Sequence, residues 1–180
     1  FHWSKSVELP SLFDDPIGQE NGVYLFTFPV NGMEHVHYVG QTKRDFATRL
    51  CEHLVCYLSG QYSILDPVEL ARGNQKIVWR TAWGAPLAEF IEQLEVIAPQ
   101  IKKFLGMFRF HLALVEDDAQ LRNRIEGGLG RHFQNHPDDQ IRGVFNTVAR
   151  LPGTTPSKTM VRCQLNAKTP IAGFPSELII

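Results

Sequence analysis

The sequence predicts an α+β domain: a small antiparallel sheet of about three core strands flanked by helices. Three observations carry that expectation. Two β-branched and aromatic runs, Val23 to Phe28 and Val36 to Val39, are joined through Asn31-Gly32, a dipeptide well suited to a tight hairpin turn. A helical period takes over after the second run, and the strand-then-helix order recurs twice further along. Finally, 180 residues with 43% apolar and 21% charged side chains suffice for one domain with a sizeable core.

Residues 1–21 are rich in turn formers and read as a lead-in arm. The chain begins Phe1-His2-Trp3 with neither an initiator Met nor a signal-peptide pattern, which fits a trimmed chain or a fragment. After the hairpin, a helix starts near Arg44 and Asp45. It carries Phe46, Leu50, His53, Leu54 and Leu58 at helical spacing and stops at Ser59-Gly60. The pattern then weakens into a loop from Gln61 to Asn74, with Asp66-Pro67 as a boundary. Lys76 to Trp83 reads as a strand. Pro86 opens a long helical segment with Leu87, Phe90, Ile91, Leu94, Ile97, Ile101 and Leu105 on its apolar face. Pro99 is expected to end or kink it. Phe108 to Val115 alternates as a strand, and Asp117 to Phe133 follows as a helix with Leu121, Ile125, Leu129 and Phe133 four apart. Beyond Pro137, Gly and Pro punctuate the chain. No apolar run is long enough for a transmembrane helix.

Net charge is −1, which argues against a general polyanion binder. The distribution is uneven: from Arg142 onward Arg142, Arg150, Lys158, Arg162 and Lys168 face a single acid, Glu177. Such a tail either tracks a phosphate backbone or is simply solvated. Cys51, Cys56 and Cys163 form an odd set without framework spacing, which fits a reducing, cytoplasmic setting.

Phosphodiester cleavage needs a positioned nucleophile, a base, cations for the phosphoryl oxygens and help for the leaving oxygen. Tyr24 and Tyr38 lie on the two hairpin strands. Arg49 and His53, four residues apart, share one face of the helix that follows. A guanidinium grips phosphate oxygens as a fork, and an imidazole orients water or passes a proton. A phenol ionised at pH 7 costs about 4 kcal/mol, so it needs a cation nearby, from a metal, Arg49 or Lys43. Hairpin register decides whether the phenols meet. A regular two-residue turn pairs Tyr24 with Val39 and sends them to opposite faces. A longer loop or one bulge pairs Tyr24 with Gly40 and Phe26 with Tyr38, so both share a face; this is the expected arrangement, with Gly40 leaving room for a substrate oxygen.

Other readings compete for these residues. Singly, Tyr24 and Tyr38 pass as half-buried strand residues, and Asp45 and Arg49 as a surface i,i+4 pair. Pro137-Asp138 lacks the following Glu-x-Lys of a restriction-type core. His132, Asn135 and His136 only faintly suggest an HNH site. His35, His37, Cys51 and Cys56 fit no zinc spacing, and nothing orients His53 toward Cys56 as a hydrolase pair.

Gly22-Val23-Tyr24 and Tyr38-Val39-Gly40, followed by Arg49 and His53, resemble the GIY-YIG nuclease superfamily. The resemblance implies a metal-dependent DNA endonuclease. Glu126, on the helix after the strand beginning near Phe110, matches the family's carboxylate and would bind one Mg2+ or Mn2+. Asn146 matches the Asn that completes such sites, with Asn135 as the alternative. Tyr24, Tyr38, Arg49, His53, Glu126 and Asn146 are thereby assigned to catalysis; Gly40, Lys43, Arg44 and Tyr62 (with Tyr57 less favoured) are assigned to substrate binding. The implied partner is DNA, and cutting both strands would call for a homodimer. The core would be residues 22–60 and 108–134 of a single domain, with 61–107 inserted and 135–180 a C-terminal extension. The insertion is open between a DNA-reading surface, a dimer contact and an added core layer. A catalytically silent module binding nucleic acid or protein is the alternative on the same scaffold.

Overall fold

A computed structural model describes residues 2–3, 7–80, 87–115, 118–146, 160–165 and 170–179. Strands β1 (His2–Trp3) and β2 (Val7–Glu8) lead into a short helix, α1 (Leu9–Leu12), and a 3-10 turn over Pro16–Gln19. The hairpin β3 (Gly22–Val30) and β4 (Met33–Thr42) is followed by helix α2 (Phe46–Leu58). Then come β5 (Ile64–Leu65), α3 (Pro67–Ala71), β6 (Ile77–Trp79), α4 (Leu87–Glu92), α5 (Leu94–Met107), β7 (Arg109–Leu114), α6 (Ala119–Gln134) and α7 (Asp139–Val144). Three short strands close the chain: β8 (Met160–Arg162), β9 (Gln164–Leu165) and β10 (Glu177–Ile179). The architecture is α+β around a four-stranded sheet of order β2-β7-β3-β4, whose neighbouring strands are all antiparallel. No helix among the described residues is long and apolar enough to cross a membrane.

The hairpin turn takes two residues, Asn31 and Gly32, both at positive φ (50° and 84°), the backbone that matches the twist of the flanking strands. A regular register would then pair Tyr24 with Val39. One bulge intervenes: Phe26 pairs with Tyr38 but Thr27 with Val36, so His37 is the extra residue. Tyr24 consequently faces Gly40, as the sequence predicts. Asn146 N–H donates to His37 O at 2.7 Å beside the bulge.

Both faces of the sheet are buried, because alternate residues of β3 feed two cores. Tyr24, Phe26, Phe28 and Val30 pack with Phe46, Leu50 and Tyr57 of α2, and with Ile97, Ile101 and Phe104 of α5. Val23 and Leu25 pack on the other side with Ile125, Leu129 and Phe133 of α6 and with Val161, Cys163, Ile171 and Leu178. On this second face Glu34 accepts from Thr27 Oγ1 at 2.5 Å and pairs with His111 Nε2 at 2.6 Å, a buried polar set that the sequence gives no reason to expect.

Several expectations change. The arm is not merely irregular: β2 extends the sheet beside β7, and Trp3 is buried in the second core. The stretch 61–74 contains β5 and α3, the latter capped by Asp66 through Val68 and Glu69 N–H with Pro67 at its start. The described residues 61–80 and 87–107 form an added core layer, since Ile64, Leu65, Leu70, Trp79, Phe90, Ile97, Ile101 and Phe104 are all buried with Tyr24 and Phe26. The long helix breaks at Gln93 and runs on through Pro99, and its expected apolar face is only partly used: Leu87, Ile91 and Leu94 are exposed. Asp45 does not pair with Arg49; it caps α2 by accepting Thr48 N–H at 2.6 Å. The C-terminal extension is neither a solvated tail nor a free cationic one where it is described. Its apolar residues fill the second core, Arg142 pairs with Asp139, and Arg162 with Glu177. Trp83, Pro86, Asp117, Arg150, Lys158 and Lys168 lie outside the described residues.

Candidate active site

The bulge at His37 brings the phenols together. The Tyr24 and Tyr38 rings lie 6.2 Å apart, and each stands edge-on to His53, at 5.9 and 5.6 Å. Phe26 supports all three from below, at 5.4, 5.5 and 5.2 Å. Helix α2 delivers His53 and Arg49 to this cluster because Phe46, Leu50 and Tyr57 bury the same face.

Hydrogen-bond directions follow from what each group is able to donate. Arg49 Nε donates to the Tyr24 oxygen at 3.3 Å. The Tyr24 hydrogen is then directed to His53 Nε2, 2.8 Å away, which makes that nitrogen the acceptor. The Tyr38 ring lies beside that of Tyr24, and its phenol is close enough to Arg49 for the guanidinium charge to act on it. Burial holds the His53 imidazole down to about 4, with the Arg49 guanidinium acting in the same direction and Glu52 opposing, so the ring is neutral at working pH. Burial raises both phenols above their ordinary range, with the neighbouring phenol adding to this at Tyr24 and Glu126 at Tyr38. Tyr24 is completely buried, whereas Tyr38 and Arg49 are half-buried and reach the surface.

Glu126 reaches the cluster from the opposite direction. The body of α6 lies on the second face of the sheet, away from α2. Yet β4 is the outer strand, and at that edge Gln41 bonds Asn123 of α6, close enough to Glu126 to act on its carboxylate. The carboxylate is close enough for its charge to act on Tyr24, Tyr38 and Arg49. Burial raises Glu126 to about 7, against the lowering effects of Gln41 and Arg49. Among the described residues, no three His, Cys, Asp or Glu side chains gather as a metal cage. A lone half-buried carboxylate that is costly to ionise is the kind of group a hard divalent ion stabilises, with water and phosphate oxygens completing its shell. The donor set fits Mg2+ or Mn2+ held in that way.

The remaining assignments divide. Tyr62 is half-buried with its ring 5.8 Å from His53, and the buried Tyr57 stands behind it at 5.1 Å, so Tyr62 is the better placed of the two. Lys43 and Arg44 are exposed in the bend between β4 and α2. Gly40 does not leave space for a substrate oxygen. A β-carbon there would lie 2.5 Å from the Tyr24 ring and hydroxyl, so the glycine makes room for the phenol itself. Asn146 is exposed and is fixed through its backbone; none of the described contacts of its side chain reach the cluster. Asn135 only ends α6. The zinc and hydrolase alternatives lose their key groups. His37 Nδ1 bonds Val144 O at 3.0 Å, and His53 Nε2 is taken by Tyr24 rather than Cys56.

Two groups escaped sequence reading. Gln41 ties the edge strand to α6, donating to Asn123 Oδ1 and accepting from Arg122 Nε at 3.3 Å. Its only signal was its place directly after Tyr-Val-Gly. Glu52 pairs with Arg49 Nη1 at 2.9 Å and with both terminal nitrogens of Arg44 at 2.5 and 2.6 Å. Its i,i+3 spacing from Arg49 was the available clue.

Comparison with models of known protein families, with curated proteins and with solved structures finds no match to this chain. The likeness to GIY-YIG nucleases therefore rests on the residues named above.

Proposed function

We propose that this protein is a metal-dependent endonuclease that hydrolyses phosphodiester bonds in DNA, of restriction or repair type. The observation that carries the reading is the hydrogen-bonded set Tyr24, His53 and Arg49 with the Tyr38 ring packed beside it, and with the Glu126 carboxylate acting on it from α6.

In this reading Arg49 grips the phosphoryl oxygens. Tyr38, the phenol nearest solvent, accepts a proton from the attacking water. Its own hydrogen passes to the Tyr24 oxygen, and that of Tyr24 passes to His53 Nε2 over 2.8 Å. Each phenol gains a proton as it gives one, so no phenolate has to persist where burial disfavours it. The phosphodiester also neutralises Arg49, which relieves one of the influences holding His53 low. A Mg2+ or Mn2+ ion on Glu126, when bound, supplies charge for the leaving oxygen.

The test is incubation of supercoiled plasmid with Mg2+, comparing wild type with Arg49→Ala and Glu126→Ala. Cleavage should fall by two or more decades in each variant, about 3 kcal/mol of lost transition-state stabilisation. Equal nicking by all three proteins would count against the proposal. The complete burial of Tyr24 favours a second reading, a silent module that binds nucleic acid or protein. In that case a gel shift would persist in both variants and without metal.

A further inference from the structure

Arg49, the group that the proposed reaction needs for phosphate, already holds an anion. Glu52 Oε2 accepts from Arg49 Nη1 at 2.9 Å, while both carboxylate oxygens accept from the Arg44 fork at 2.5 and 2.6 Å. One carboxylate thus spans two guanidinium groups in the bidentate geometry that a phosphate would use. The side chains of Arg44, Arg49 and Glu52 are 49%, 31% and 40% exposed, so an incoming ligand reaches them without opening the core. Glu52 is held down to about 2 by Arg44 and then Arg49, and is an anion at any working pH.

Arg49 does not depend on Glu52 for its position. Its Nε donates to the Tyr24 hydroxyl at 3.3 Å, on the sheet side. The Glu52 contact is on the solvent side. Removing it frees a guanidinium whose aim Tyr24 already fixes.

We propose that Glu52 is an internal phosphate surrogate, which neutralises Arg44 and Arg49 in the free protein and is displaced by the backbone phosphate of a nucleic-acid substrate. This deepens the nuclease reading and rests on it for the substrate class. Two consequences follow. The exposed cations are masked until a ligand with more phosphate charge competes for them, so single phosphates bind poorly and a polyanionic strand binds well. Arg44 becomes part of the substrate-binding surface only after displacement.

The test uses a fluorescein-labelled 20-bp duplex in EDTA, followed by anisotropy, so that binding is read without cleavage. Glu52→Gln keeps the shape and removes the charge; Glu69→Gln breaks a comparable exposed i,i+3 pair with Arg72 and is the control for net charge. Glu52→Gln should tighten the duplex at least fivefold, Glu69→Gln less than twofold, and Arg49→Ala/Glu52→Gln should lose most of the gain. In Mg2+, Glu52→Gln should lower KM more than it changes kcat. Unchanged or weaker duplex binding by Glu52→Gln would overturn the proposal. So would equal tightening by both single variants, or a fall in kcat with KM unmoved, which would make Glu52 a positioning residue for Arg49. Should no protein cleave in any metal, the nuclease reading fails while the EDTA experiment still decides the role of Glu52.

Discussion

The Tyr24 hydroxyl lies 2.8 Å from His53 Nε2, across the gap between inner strand β3 and the helix that covers it. Both groups are buried, and each is the other's partner. Tyr24→Phe leaves the His53 nitrogen and Arg49 Nε without that oxygen, a loss of about 1–3 kcal/mol. Urea unfolding of the variant at pH 7 should report it. A loss below about 0.5 kcal/mol would mean that the two groups are not bonded in solution.

Gly40 stands against the Tyr24 ring, where a β-carbon would lie 2.5 Å from the ring and hydroxyl. Gly40→Ala is expected to push the phenol off His53 and Arg49 and to cost about 1–3 kcal/mol as an overpacked site. Cleavage should fall with stability, while Gly106→Ala, in open space, should change neither by much. A fully active and stable Gly40→Ala protein would show that Tyr24 occupies another place.

Glu126 has a folded-state value of about 7, against 4.5 for the free group. The folded chain therefore keeps a proton that the unfolded chain releases. The stability that this contributes is complete below about pH 4.5 and is lost as pH rises through 7. Without metal, Glu126→Gln should be more stable than wild type by on the order of 1–3 kcal/mol at pH 8 and by almost nothing at pH 4.5. Added Mg2+ should narrow the gap by stabilising the wild-type carboxylate. Denaturant melts at the two pH values measure it; a gain of equal size at both would exclude a charge effect.

His37 and His53 act in the opposite sense. Burial lowers both to about 4 from 6.5. Their contribution is present above pH 6.5 and is lost as pH falls toward 4, by up to about 3 kcal/mol each. Proton NMR should find neither ring charged above pH 5 in the folded protein. A midpoint near 6.5 for His53 would place it in water rather than beneath Tyr38.

The hairpin register was legible because one geometric alternative brought the phenols to a common face, and the bulge at His37 is that alternative. The three core strands, the first helix and the shared face of Arg49 and His53 followed from period and spacing, whereas Glu126 came from the resemblance to GIY-YIG nucleases. What was not legible depended on distant packing. The pairing of β2 with β7 involves only Val7 and Glu8, too short for a periodic signal. Val161, Cys163, Ile171 and Leu178 are scattered among polar residues and are recognised as core only once α6 lies over the sheet. Nor does spacing reveal that α6 packs on the face opposite α2, or that Arg49 chooses Glu52 while Asp45 turns to cap its helix.

The central claim is that Arg49 and Glu126 act on one scissile phosphate. A double-mutant cycle in single-turnover DNA cleavage with Mg2+ tests it most directly, using wild type, Arg49→Ala, Glu126→Ala and the double variant. Groups that act as a unit lose together, so each single change is expected to slow cleavage about 100-fold or more, with the double variant within about tenfold of the slower single. Equal rates in all four proteins, or losses that multiply in the double variant, would contradict the claim.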